Sequence, residues 1–134
     1  MKGIADTGFL VAFANRKDKY HAWAVSLAAE IVEPLLTCES VLSETAFHLQ
    51  NAGLVMAMID EGLVGLAFDA KKNLSELKVL AKRYGDRTPD FADLCLVRMS
   101  ELFPKHTIFT VDADFRVYRR NGREVIPINA PPTM

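Results

Sequence analysis

An apolar strand that gives out on an acid within the first few residues, Ile4-Ala5-Asp6-Thr7-Gly8, constrains this chain more than any other feature. Near the other end, Thr107-Ile108-Phe109-Thr110-Val111-Asp112-Ala113-Asp114 repeats the arrangement. In open α/β sheets, ligands gather just outside the carboxyl ends of the strands. Two strands ending in carboxylates, on either side of a mostly helical middle, therefore set several acids at one sheet edge. Acids so placed repel one another and need a cation.

The rest of the chain supplies the sheet that this reading requires. Periodicity predicts strands at residues 3–5, 35–38, 65–69, 108–111 and 125–128. Between them, helical patterns run over 9–13, 21–32, 39–50, 54–64, 73–84 and 89–103. Trp23, Leu27 and Ile31 form one apolar stripe, and Leu74, Leu77 and Leu80-Ala81 another. Arg16-Lys17-Asp18-Lys19 reads as a charged loop, and Asn51-Ala52-Gly53 as a helix C-cap. Residues 114–120 read as a turn or short helix, Asn121-Gly122 as a turn and 130–132 as a frayed tail. Strand and helix in alternation specify an α/β fold, a parallel sheet covered on both faces by right-handed crossovers. With no linker or repeat, residues 1–134 are expected to be one domain.

Composition removes several function classes. Half of the residues are hydrophobic and a quarter charged, unlike a disordered chain. A net charge of −1 gives no strongly basic surface. No apolar run approaches the roughly 20 residues of a membrane span, and Asp6 interrupts the only segment that could pass for a signal peptide. Cys38 and Cys95 stand in apolar surroundings without CxxC spacing. They read as buried reduced thiols, not as a disulfide or a zinc pair. A cytoplasmic location is expected.

Two more acids stand in apolar helices. Asp90 and Asp93 lie one turn apart, on one face near a helix start. For Asp90 alone, the helix dipole is as good an account as a place in the site. Asp93 is enclosed by Phe91, Ala92, Leu94, Cys95, Leu96 and Val97, and an unpaired carboxylate there would be costly, so it needs a partner or a metal. Glu44 lies on a polar line with Ser40, His48 and Asn51, beside Val41, Leu42, Phe47 and Leu49. A solvated stripe would account for a lone Glu, and His48 reads as a surface or supporting residue. An all-carboxylate set without His or Cys clustering suits magnesium or manganese rather than zinc. Acid-rich sites holding such ions hydrolyse phosphodiesters.

Four segments together resemble the blocks of the PIN domain, in the order and spacing of the small VapC-type toxin ribonucleases. They are Ile4-Ala5-Asp6-Thr7-Gly8-Phe9-Leu10, Val41-Leu42-Ser43-Glu44, Asp90-Phe91-Ala92-Asp93-Leu94-Cys95-Leu96-Val97 and Ile108-Phe109-Thr110-Val111-Asp112-Ala113-Asp114-Phe115. The resemblance implies a PIN-like three-layer α/β/α sandwich with a central parallel sheet, and magnesium- or manganese-dependent cleavage of RNA. It makes Asp6, Glu44, Asp93 and Asp112 the catalytic acids, with Asp6, Asp93 and Asp112 on the metal. Thr7 and Thr110 fall at accompanying hydroxyl positions, and Asp90 and Asp114 at accessory acids. The third block reads Asp93-Leu94 where Asp-Ala is commoner. A homodimer and a small antitoxin partner are also implied. The antitoxin would send a basic side chain into the acids and anchor on Trp23, Leu27, Phe47 or Leu54.

Substrate-binding residues are not fixed by the sequence. Arg16, Lys17 and Lys19, then Lys82, Arg83 and Arg87, then Arg116, Arg119, Arg120 and Arg123 adjoin the acid-bearing segments and could form a basic rim. Tyr20, Trp23 and Tyr118 are candidates for stacking on bases, although the helical stripe containing Trp23 reads as core. Two other readings compete: a non-catalytic module with the same fold, and an aspartyl phosphatase built on Asp112-Ala113-Asp114.

Overall fold

The computed structural model describes residues 1–132; Thr133 and Met134, the end of the expected domain, lie outside the described residues. In chain order it has β1 (Gly3–Ala5), α1 (Thr7–Ala14), α2 (His21–Ala28), β2 (Leu35–Thr37), α3 (Glu39–Leu49), α4 (Ala52–Asp60) and β3 (Val64–Leu66). Then follow α5 (Leu74–Arg83), α6 (Phe91–Leu102), β4 (Thr107–Phe109), a 3₁₀ turn (Ala113–Arg116), β5 (Arg119–Arg120), β6 (Glu124–Val125) and β7 (Ile128–Asn129). Five strands form a parallel sheet in the order β3-β2-β1-β4-β7, while β5 and β6 make a small antiparallel ribbon.

β1 is central and wholly buried. Gly3 is needed there, because a Cβ would come within 2.7 Å of both Leu35 Cδ2 and Phe109 Cζ. Ile4 pairs with Leu36 on one side and Ile108 on the other, so the two acid-terminated strands lie side by side in register. Right-handed crossovers put α1 to α4 over one face of the sheet and α5 and α6 over the other. The result is the α/β/α sandwich expected from the alternation.

Several boundaries differ from the sequence reading. α1 begins at Thr7 rather than Phe9 because the Asp6 carboxylate accepts the Thr7 amide and caps it. α2 stops at Ala28, four residues short, as the chain turns toward Pro34 and β2. The Asn51-Ala52-Gly53 cap is not one. Gln50 takes the left-handed conformation that ends α3, and Asn51 caps α4 by accepting the Leu54 amide at 2.9 Å. The strand expected over 125–128 is split at Pro127. Its two halves join different sheets, and Ile126 between them is buried. Nor is 130–132 simply frayed, since Pro131 is buried.

Candidate metal centre

The carboxyl ends of β1 and β4 open into a groove of about 300 Å³. Asp6, Glu44, Asp93 and Asp112 all line it, together with Thr7 and Asp90. Four elements thus deliver the four expected acids to one place: the cap of α1, the middle of α3, the first turn of α6 and the loop after β4. Asp114 joins two of them. Asp93, Asp112 and Asp114 each offer an oxygen, and these atoms all lie within 4.8 Å of one another.

A chain of hydrogen bonds fixes the floor. Asp6 accepts from the Thr7 amide at 2.7 Å through Oδ1 and from the buried Thr110 hydroxyl at 2.6 Å through Oδ2. Thr110 in turn accepts from the Asp112 amide at 2.9 Å. The Thr7 hydroxyl donates to Glu44 at 3.2 Å. Asp90 accepts the Asp93 amide and Asp112 accepts the Asp114 amide, both at 2.9 Å, so each aspartate caps the segment that carries the next. Gly8 is part of the same construction: a Cβ there would overlap the Val111 side chain.

The electrostatics follow from this crowding. Burial pushes the Asp6 carboxyl up to about 6, against the two donors that favour its charged form and with Asp112 and Asp90 adding repulsion. Burial, then Asp90 and Asp6, push Asp93 up to about 8. Asp112 is raised by burial and by Asp114 and Asp90. Carboxylates that resist ionisation together, and offer only oxygen, match a hard divalent cation in charge and in chemistry.

Sequence reasoning missed several neighbours. Asp18 reaches the groove from the charged loop, and His48, on the polar line with Glu44, lines it as a supporting residue. Tyr118, a candidate for base stacking, is instead 1% exposed and donates to Asp93 Oδ2 at 3.0 Å. Arg87 pairs with Asp114 at 3.2 Å. Arg120 leaves the basic rim altogether: it is buried and holds the Ser100 carbonyl and Glu124. Arg119 turns back onto the carbonyls of Arg116, Val117 and Tyr118. Trp23 is half-buried with its ring edge-on to Phe9, and Leu27 is buried, so neither is a free anchor. Phe47 and Leu54 are exposed. Cys38 and Cys95 are free and buried, as the sequence implied.

This architecture is a PIN-like α/β/α sandwich around a central parallel sheet. The chain is similar in structure to VapC20 from Mycobacterium tuberculosis, a toxin that cleaves the sarcin-ricin loop. The TM-score is 0.75 and the identity 21%, over 85% of this chain and 92% of that one. No protein-family model matches the sequence, and no curated protein does.

Proposed function

We propose that this chain is a divalent-metal-dependent endoribonuclease of the VapC kind, the toxin of a toxin-antitoxin pair. Asp6, Glu44, Asp93 and Asp112 are its catalytic acids. The observation that carries this reading is the convergence of four acids, far apart in sequence, on one groove beside three carboxylate oxygens within 4.8 Å. The likeness to a toxin that cleaves the sarcin-ricin loop supports the substrate class.

Asp6, Asp93 and Asp112 would hold magnesium or manganese, with Asp114 as an accessory acid. Such an ion would supply positive charge to the scissile phosphate and its leaving oxygen, and would acidify a nearby water. The chain's own residues do the rest. Thr7 and Thr110 hold Asp6 in one orientation and favour its charged form. Glu44, held by the Thr7 hydroxyl, faces the groove as a carboxylate able to accept a proton from water. Tyr118 fixes Asp93, and Asp90 fixes the helix turn that carries it.

The described residues bury their apolar side chains in one cluster, which favours one PIN domain over 1–134. No helix among them is long and apolar enough to cross a membrane. With two free thiols, a cytoplasmic protein is the reading we favour. A homodimer and a small antitoxin are the partners proposed. The antitoxin would place a guanidinium among the acids in place of the cation's charge and rest apolar side chains on Phe47 and Leu54. The phosphatase reading is not favoured, since Asp112-Ala113-Asp114 follows the fourth strand and works with acids from three other elements.

The test is cleavage of single-stranded RNA by purified protein with magnesium or manganese. Wild type should cut, chelator should stop it and Asp6→Asn should abolish it. Expression of the chain alone should slow growth, and Asp6→Asn should relieve the effect. Wild type that leaves RNA intact with either ion would overturn the reading.

A further inference from the structure

A second concavity, of about 430 Å³, opens beside the acid groove on the other side of the first turn of α6. Cys38 and Ser40 line it from the end of β2 and the start of α3, Phe68 from the segment after β3, and Phe91 and Cys95 from α6. Phe91 directly follows Asp90 and precedes Asp93 by two, so one helical turn borders both depressions. It is 52% exposed, although the six residues that follow it in the helix are all buried. Folding gains little from a phenyl ring left in water.

We propose that this pocket is a nucleobase subsite, receiving an unpaired base of the RNA next to the phosphate held at the acids. The inference rests on the ribonuclease reading and names the part of the substrate that the reading leaves open. An aromatic face is a sequence-tolerant platform for any base, and Phe91 offers one in the neighbouring pocket. The pocket's polar side chains add a preference. Glu39 and Asp69 line it as acceptors, and Asp69 already uses one oxygen to cap Lys72. Carboxylates pair with exocyclic amino groups, which adenine, cytosine and guanine carry and uracil lacks. Lys71, on the same wall, brings a positive charge for a neighbouring phosphate.

Two variants and two readouts test the subsite. Phe91→Ala should raise KM for short single-stranded RNA by about 10-fold or more, with kcat and melting temperature little changed. Phe91→Trp should keep wild-type KM, and short A or C homopolymers should quench its fluorescence more strongly than U at equal concentration. A wild type that cleaves RNA while Phe91→Ala cuts with unchanged KM would overturn the subsite and leave the nuclease standing. A quench in Phe91→Trp without cleavage by wild type would overturn the nuclease and support the base site. A quench by no oligonucleotide, with Phe91→Trp folded as wild type, would overturn the subsite. So would an equal quench by an acidic peptide, which would make the pocket a protein-docking site.

Discussion

Thr110 donates its hydroxyl hydrogen to Oδ2 of Asp6 at 2.6 Å, joining the ends of two neighbouring strands across 104 positions of sequence. The bond is buried, so it can be neither replaced by water nor lost cheaply. It also works against the burial that raises the Asp6 carboxyl to about 6. Thr110→Val keeps the shape and removes the donor. It should destabilise the protein by about 1–3 kcal/mol and move the acidic limb of the pH–activity profile upward. Chemical denaturation and a pH–rate profile check the two effects. An unmoved acidic limb would mean that Asp6 does not need its charge for activity.

Asp93 makes the opposite case. With its carboxyl near 8 and that of Asp6 near 6, the folded chain binds protons more tightly than the unfolded chain does. Their contribution to stability is therefore full below the unfolded value near 3.8 and is lost as pH rises through about 6 and then 8. In chelator, the melting temperature should fall across that window. Asp93→Asn should flatten the fall and melt higher than wild type at pH 8, by roughly 3 °C or more. Magnesium or manganese should raise the wild-type melting temperature and leave the variant unmoved. Asp93→Asn melting below wild type in chelator would make Asp93 a structural partner instead of a ligand.

Tyr118 links the loop after β4 to α6 through its bond to Asp93. Removing that donor with Tyr118→Phe should raise the Asp93 carboxyl further and weaken manganese binding about 10-fold at neutral pH. Affinity should recover as pH rises and Asp93 ionises without help. Calorimetric titration at two pH values reads this directly. Equal loss at both would assign Tyr118 a packing role only.

Gly8 sets how closely α1 approaches the end of β4. Gly8→Ala drives a methyl into Val111 and should cost about 1–3 kcal/mol. The double variant with Val111→Ala should recover most of that loss, because the space for the methyl is restored. Thermal melts of the four proteins give the coupling, and a purely additive loss would contradict the close approach.

The acids were legible in the sequence because each is chemically out of place: Asp6 and Asp112 at the ends of apolar strands, Asp93 inside a helix otherwise buried. The alternation of elements likewise gave the sheet and its layers. What stayed hidden depends on long-range geometry. Nothing near Asp18 distinguishes it from its charged neighbours, and only the path of the loop brings it to the groove. Tyr118 reads locally as one more surface aromatic, and its burial follows from the fold of the ribbon beside α6. Asn suits both helix ends, and Asn51 starts α4 because Gln50 already takes the left-handed role that ends α3. Pro127 split a short apolar run that periodicity alone joins.

If the groove's carboxylates hold one catalytic divalent cation or more, manganese affinity must depend on Asp93 and Asp112, which wild type, Asp93→Asn and Asp112→Asn compare. Isothermal titration should show manganese binding to wild type at neutral pH, with each substitution weakening it by about 10-fold or more while the fold is retained. Three proteins that bind manganese with equal affinity, or a wild type that binds none, would mean that these carboxylates are not a metal site.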